Sequence, residues 1–433
     1  LLALAILAFF LAPSFAFAQA QRTFTVDDAL NVRSASVAAA TDDARWLAVT
    51  VSAPRGRMGT DHFRFGDPTY VGPGSVDFMV MNAATGESQA LFDDPVQVQG
   101  VSWSPDGSRL AFRRYQNERV TLHVWDRDSG NLQSIRLQPS RELAWGGPLI
   151  WSPDGNNLLV GLRTPSWAAD ARAAYEAMEF GPIVVQDSSE PFLSWDAVRN
   201  RGSLMELATV EVGSGAVTVL AEEGGYQDIR FAEDGSHITY TRSTPLRTSY
   251  ERGEGTEYAY FKQDLTEGAE AVEVMEGGED RKRLNWKPDG TGFVFSEKGD
   301  LFWKTPEADS AQNLTEEFRV PLSEADSTKR SFSLQEWHPQ GDAMLLRAQD
   351  GYYLMTMGGE PEMAWPFPGE TRKEWGEAPS LGITHWTEDG RYLFATKSAK
   401  DKWERGLVRY DLNRRQEEVL VLDSDMYRSW TVA

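Results

Sequence analysis

The chain has 433 residues, 41% of them hydrophobic, and carries 65 acidic against 43 basic residues for a net charge of −22. That imbalance argues against nucleic acid and anionic membrane surfaces as partners. It contains no cysteine, which excludes disulfides, thiolate metal sites and thiol catalysis, so packing alone must hold the fold.

Residues 1–17 are almost wholly apolar, and Ala16-Phe17-Ala18 before Gln19 places small residues where a signal peptidase reads them. The segment 1–18 is therefore expected to be an export signal, with an uncleaved anchor as the alternative. Export would place residues 19–433 in a periplasmic or extracellular space, free of the membrane after cleavage.

The rest is organised by one phrase, Trp103-Ser104-Pro105-Asp106-Gly107, which recurs as Trp151-Ser152-Pro153-Asp154-Gly155. Ser, Pro, Asp and Gly suit successive positions of a type I turn. Short apolar runs follow, Leu110-Ala111-Phe112 and Leu158-Leu159-Val160, of the kind that form strands buried on both faces. The tryptophan is expected to pack between neighbouring sheets. Weaker copies start at Phe231, Trp286, Trp337 and Trp386, a degenerate one has Ala40 in the aromatic slot, and Trp430 begins another. The slots are 63, 48, 80, 55, 51, 49 and 44 residues apart. Hairpins such as that around Gly213-Ser214-Gly215 complete four strands per repeat. The expected fold is all-β: a propeller of seven or eight four-stranded blades with WD-like or TolB-like repeats and a short helical insertion.

Three stretches break the period. Residues 53–75, rich in Gly, Pro and Arg, read as a loop that is either solvated or meets a substrate or second domain. The third repeat is lengthened over about 164–202. There, alanine content and the placing of Trp167, Ala171, Tyr175 and Met178 on one face predict a helix over 166–180. Glu176 and Glu179, three apart on it, share a face and offer negative charge to a cation or a peptide amine, or else are solvated helix carboxylates. Residues 242–260 read as a polar excursion decorating a blade edge.

Catalytic motifs are missing. No Gly-x-Ser-x-Gly elbow occurs; the nearest sequence, Gly86-Glu87-Ser88-Gln89-Ala90, lacks the second glycine. His62, His123, His237, His338 and His385 fall in five different repeats without metal-ligand spacing. No catalytic residue, metal or cofactor is therefore expected in this chain.

The export signal, the Trp-Ser-Pro-Asp-Gly repeats and an insertion that carries an alanine-rich helix and Pro191-Phe192-Leu193-Ser194-Trp195-Asp196 resemble the N-terminal propeller of exported prolyl oligopeptidase family serine peptidases, the group that includes dipeptidyl peptidases. The resemblance spans residues 24–433, and the turn phrase itself is shared with the TolB periplasmic propeller. It implies a propeller that gates peptide substrates for a following α/β-hydrolase domain, which residues 1–433 do not include. The triad transfers to no residue here, and the chain alone is expected to be inactive. Glu176 and Glu179 lie on an insertion comparable to the one whose paired glutamates hold a substrate amine in dipeptidyl peptidases. The expected partners are peptide substrate, the hydrolase domain and a second copy in a homo-oligomer; the alternative is a stand-alone TolB-like binding propeller.

Overall fold

The turn phrase folds as its residue types dictate. In the computed structural model, Gly107 N donates to Ser104 O at 2.8 Å, and the same bond recurs from Gly155, Gly235, Gly290, Gly341 and Gly390. Ser104 Oγ donates to Asp106 Oδ1 at 2.6 Å, and that oxygen also accepts Ser108 N at 3.0 Å. These bonds, the one from the Ser104 hydroxyl first, hold the Asp106 carboxyl down to about 2. The degenerate first copy keeps the device: Thr41 Oγ1 donates to Asp43 Oδ1 at 2.6 Å, and Ala44 takes a φ of +53° where the other copies have glycine.

The structure describes residues 23–59, 61–72, 74–181, 189–251, 254–266, 269–323, 326–367, 380–398 and 404–423; the expected signal segment and the copy at Trp430 lie outside them. After a short helix, α1 (Val26–Leu30), the chain runs as antiparallel sheets whose strands pair in sequence order. The first sheet is Ser34–Ala40, Trp46–Ser52, Asp77–Asn82 and Ser88–Ala90, and the second is Gln97–Trp103, Arg109–Gln116, Arg119–Asp126 and Leu132–Ile135. The third (Leu149–Trp151, Asn157–Arg163, Met205–Glu211) and fourth (His237–Pro245, Thr256–Asp264, Val272–Gly278) share the 15-residue strand Val217–Phe231. This strand pairs with the third sheet as far as Gly224 and with the fourth from Gly225 onward. The fifth is Asn285–Trp286, Phe293–Glu297, Asp300–Lys304 and Gln312–Asn313. The sixth is Ser333–Trp337, Ala343–Arg347, Gly351–Thr356 and Glu362–Pro366; the seventh is Ser380–Trp386, Tyr392–Ser398, Arg405–Asp411 and Gln416–Asp423.

Consecutive strand residues point to opposite faces, and each face enters a different core. Leu110 and Phe112 pack with Phe78 and Val80 of the first sheet, whereas Ala111 between them packs with Leu158 and Val160 of the third. Likewise Met344 and Leu346 pack with Val294 of the fifth sheet, and Leu345 packs with Leu393 of the seventh. This is why the runs after the turns are continuously apolar. The cores join each sheet to the next in sequence. Among the described residues no such core joins the seventh sheet to the first. The second strands of these two outermost sheets are accordingly less buried than Asn157–Arg163 of the third.

The phrase also works between sheets. Trp151 donates its indole N–H to Ser102 O and Trp337 donates to Asn285 O, both at 3.0 Å, so each reaches the residue before the preceding sheet's tryptophan. A Cβ placed on Gly107 would meet Thr41, on Gly155 Arg109, on Gly235 Pro153, on Gly290 His237, on Gly341 Lys287 and on Gly390 His338. Every turn is thus seated on the turn region of the sheet before it.

Candidate functional site: one end of the propeller

In an antiparallel meander, successive connections leave at alternate ends. The turn phrases join first strands to second at one end, so the links from second strands to third emerge at the other. In the second and fifth sheets those links are short, with Asn117, Glu118 and Lys298 in the left-handed region. In the first, third and fourth sheets they are long: residues 53–76, 164–204 and 246–255. The three interruptions of the sequence period therefore emerge on one end.

There they lock together. The third sheet's link carries α2 (Trp167–Glu179) and α3 (Ser194–Arg201). Trp167, Ala171 and Tyr175 are the buried face of α2, as their spacing predicts, and Met178 is half-buried. Trp167 donates its indole N–H to Arg201 O at 3.0 Å, tying the two helices. The Asp67 side chain is wholly buried and paired with both Arg64 and Arg172; it also accepts Thr69 N at 2.8 Å. Tyr175 donates to Phe63 O, and Gly66 lies against the Trp195 ring. The first-sheet loop thus reaches the third-sheet helix over the second sheet, whose own link is a tight turn. From the fourth sheet, Thr248 N donates to Pro191 O and Leu193 N donates to Thr248 Oγ1, both at 2.7 Å.

One sequence expectation needs correction. Residues 242–245 and 256–260 are not an excursion but parts of paired strands, with Tyr260 buried and only 246–255 departing from the sheet. Polar composition misled because only Tyr260 and Gln263 of the strand Thr256–Asp264 are buried, the rest being half-buried or exposed. The 53–75 loop is exposed over much of its length and docks on α2 and α3 of the same chain through Phe63, Gly66 and Asp67. Helix α3 was missed altogether, though Ser194 followed by Asp196 is a start signal.

The Glu176 side chain is exposed and makes no hydrogen bond or ion pair among the described residues, while its main-chain oxygen accepts Phe180 N at 2.9 Å. Glu179 is half-exposed and sits beside the Tyr175 hydroxyl; burial first, then Glu179, push that phenol up to about 12. Both glutamates lie toward the C-terminal end of α2, whose last turn holds no basic residue. Large apolar side chains also stand in solvent here: Phe63, Phe65, Phe180 and Tyr250 are 76–83% exposed. All four belong to the interlocked links or the end of α2.

No group of three His, Asp or Glu side chains that could hold a metal occurs among the described residues. No described helix is long and apolar enough to cross a membrane.

Four-stranded meander sheets packed face to face in series, each twisted onto the last by its turn phrase, define a β-propeller. The fold is that of the propeller of prolyl oligopeptidase-type enzymes: a structure from a mechanistic study of two prolyl endopeptidases superposes with a TM-score of 0.52 at 15% identity, over 90% of this chain and 50% of that one. An acylaminoacyl peptidase bound to Z-Gly-Gly-Phe-chloromethyl ketone superposes with a TM-score of 0.46 at 12% identity, over 90% and 53%. The chain thus spans about half the length of the solved structures it matches. No family model and no curated protein sequence matches it.

Proposed function

We propose that this chain is the substrate-gating propeller of an exported serine peptidase of the prolyl oligopeptidase type, and that the catalytic serine, aspartate and histidine lie in an α/β-hydrolase domain outside these residues. The observation that carries the reading is the propeller likeness that spans nearly all of this chain and half of a prolyl endopeptidase. The end built by the interlocked links is then the one that faces the hydrolase domain and incoming peptide. Its exposed Phe63, Phe65, Phe180 and Tyr250 supply the apolar contact.

Glu176 and Glu179 are proposed to hold a peptide amine there. Carboxylates near a helix C-terminus face the negative end of its dipole, a placement that costs a few tenths of a kcal/mol and that an incoming cation relieves.

The test has two arms. The purified chain should neither cleave prolyl p-nitroanilide peptides nor be labelled by a serine-reactive fluorophosphonate, whereas the polypeptide extended through its catalytic domain should do both. A labelled serine within residues 19–433 would overturn the reading. In the extended enzyme, Glu176→Gln with Glu179→Gln should raise KM about tenfold for peptides with a free amino terminus, on the order of one charge-assisted contact, and leave N-acetylated peptides unchanged. Equal effects on both would remove the amine assignment.

A further inference from the structure

Between the second and third sheets, at the end that bears the links, lies a cavity of about 580 Å³. Its wall holds four arginines, Arg119, Arg136, Arg141 and Arg163, and one carboxylate, Glu142. In a chain of net charge −22, such a concentration of guanidinium groups is unexpected.

Their partners divide them. Arg141 is neutralised by Glu206. Arg163 is buried, donates to the main-chain carbonyls of Gly202 and Leu204, and stacks 3.7 Å over the Trp167 ring. It is held in place but not neutralised by a direct ion pair. Arg119 and Arg136 are exposed and make no ion pair or side-chain hydrogen bond among the described residues, although the Glu142 carboxylate lies near enough to Arg119 and Arg163 to feel both charges. Arg119 sits at the start of a third strand and Arg136 just past a fourth, so both reach the cavity from one rim. The opposite rim is the start of α2, where Ser166 caps no backbone N–H with its side chain. Of the lining residues only Glu142 is acidic, so the lining itself is net positive; behind it Glu206 pairs with Arg141, Glu223 accepts from Thr164 Oγ1 at 3.1 Å, and Asp170 stands in the first turn of α2.

We propose that this cavity is a binding site for the carboxylate of an acidic peptide segment, with Arg119 and Arg136 as its charged contacts and Arg163 as a fixed charge behind them. The planar fork of arginine matches a carboxylate in two parallel hydrogen bonds. The volume admits a side chain or chain terminus and not a folded domain. The proposal is independent of the peptidase reading, because it concerns binding by the chain alone.

Fluorescence anisotropy with the full chain tests it. A labelled peptide ending in Asp-Glu-Glu should bind, its amidated Asn-Gln-Gln counterpart should bind at least tenfold more weakly, and the difference should shrink with added salt. Arg119→Gln with Arg136→Gln should weaken the acidic peptide at least tenfold without moving the thermal midpoint. Arg45→Gln with Arg414→Gln, on other sheets, should leave binding unchanged. Equal binding of both peptides, or unchanged binding in the Arg119/Arg136 variant, overturns the proposal. Displacement of the acidic peptide by equimolar inorganic phosphate would overturn its peptide assignment, since a carboxylate site with two free forks should favour the peptide.

Discussion

Trp151 donates its indole N–H to the main-chain carbonyl of Ser102, 3.0 Å away, so the tryptophan of one sheet is bonded to the residue before the tryptophan of the sheet preceding it. Trp103 occupies the same slot, yet its buried N–H has no partner. Phenylalanine at each position separates the bond from the packing. Trp151→Phe loses a hydrogen bond and strands a carbonyl, and should cost about 1–2 kcal/mol more than Trp103→Phe, which removes a donor that was never satisfied. Urea denaturation of both variants measures the difference, and equal costs would show that the bond contributes nothing.

The fold was legible because a propeller writes its geometry locally. Each turn phrase fixes a hairpin through its own side chains, and each apolar triplet after it records burial on both faces, as at Leu110-Ala111-Phe112. The candidate site was not legible in the same way. Helix α2 could be read from its period, but that Arg172 on it would meet Asp67, a hundred residues earlier, depends on which end each link leaves and on the short turn of the sheet between them. The arginine cavity escaped for a similar reason: Arg119, Arg136 and Arg163 belong to three separate strand ends, and only stacking of the second sheet on the third brings them to one wall.

The Asp67 carboxylate should hold the first-sheet link onto α2. It is wholly buried while its partners Arg64 and Arg172 remain about one-third exposed, so water offsets part of the loss when it is removed. Asp67→Ala should cost about 1–3 kcal/mol and free the loop locally, well before global unfolding. Limited trypsin digestion reads this directly: cleavage after Arg55, Arg57 or Arg64 should accelerate at least tenfold. Unchanged cleavage would mean that Tyr175 and Trp195 hold the loop without the ion pairs.

Gly390 should be more sensitive to a methyl group than Gly130, although the two have nearly the same backbone. Their φ angles are +68° and +69°, so alanine brings a similar strain of about 1 kcal/mol to both. A Cβ on Gly130 meets nothing within 4 Å, whereas one on Gly390 would lie 2.5 Å from His338 Nε2. Gly390→Ala should therefore cost about 1–3 kcal/mol beyond Gly130→Ala, the usual range for overpacking. Thermal melts of the pair isolate the contact between the sixth and seventh sheets.

Acid should weaken the fold from about pH 6.5 downward, and His123 should be a principal reason. Its ring is buried, stacked on Phe112 with centroids 5.5 Å apart, and lies beside Arg114. Burial first, and the Arg114 charge second, bring the imidazole down to about 4. In the unfolded chain the same ring titrates near ~6.5. Below that pH the unfolded chain takes up a proton that the folded chain refuses, so stability is full above ~6.5 and falls as the pH drops toward 4, by on the order of 2–3 kcal/mol in all. His237, lowered chiefly by burial, acts in the same direction. Asp106, held to about 2 by its turn, contributes above its unfolded value of ~3.9 and loses that contribution only below it. His123→Gln should thus flatten the dependence of the urea midpoint on pH between 6.5 and 4 while leaving the steeper loss below pH 4 in place. An unchanged slope between 6.5 and 4 would assign the acid sensitivity to His237 or to other groups.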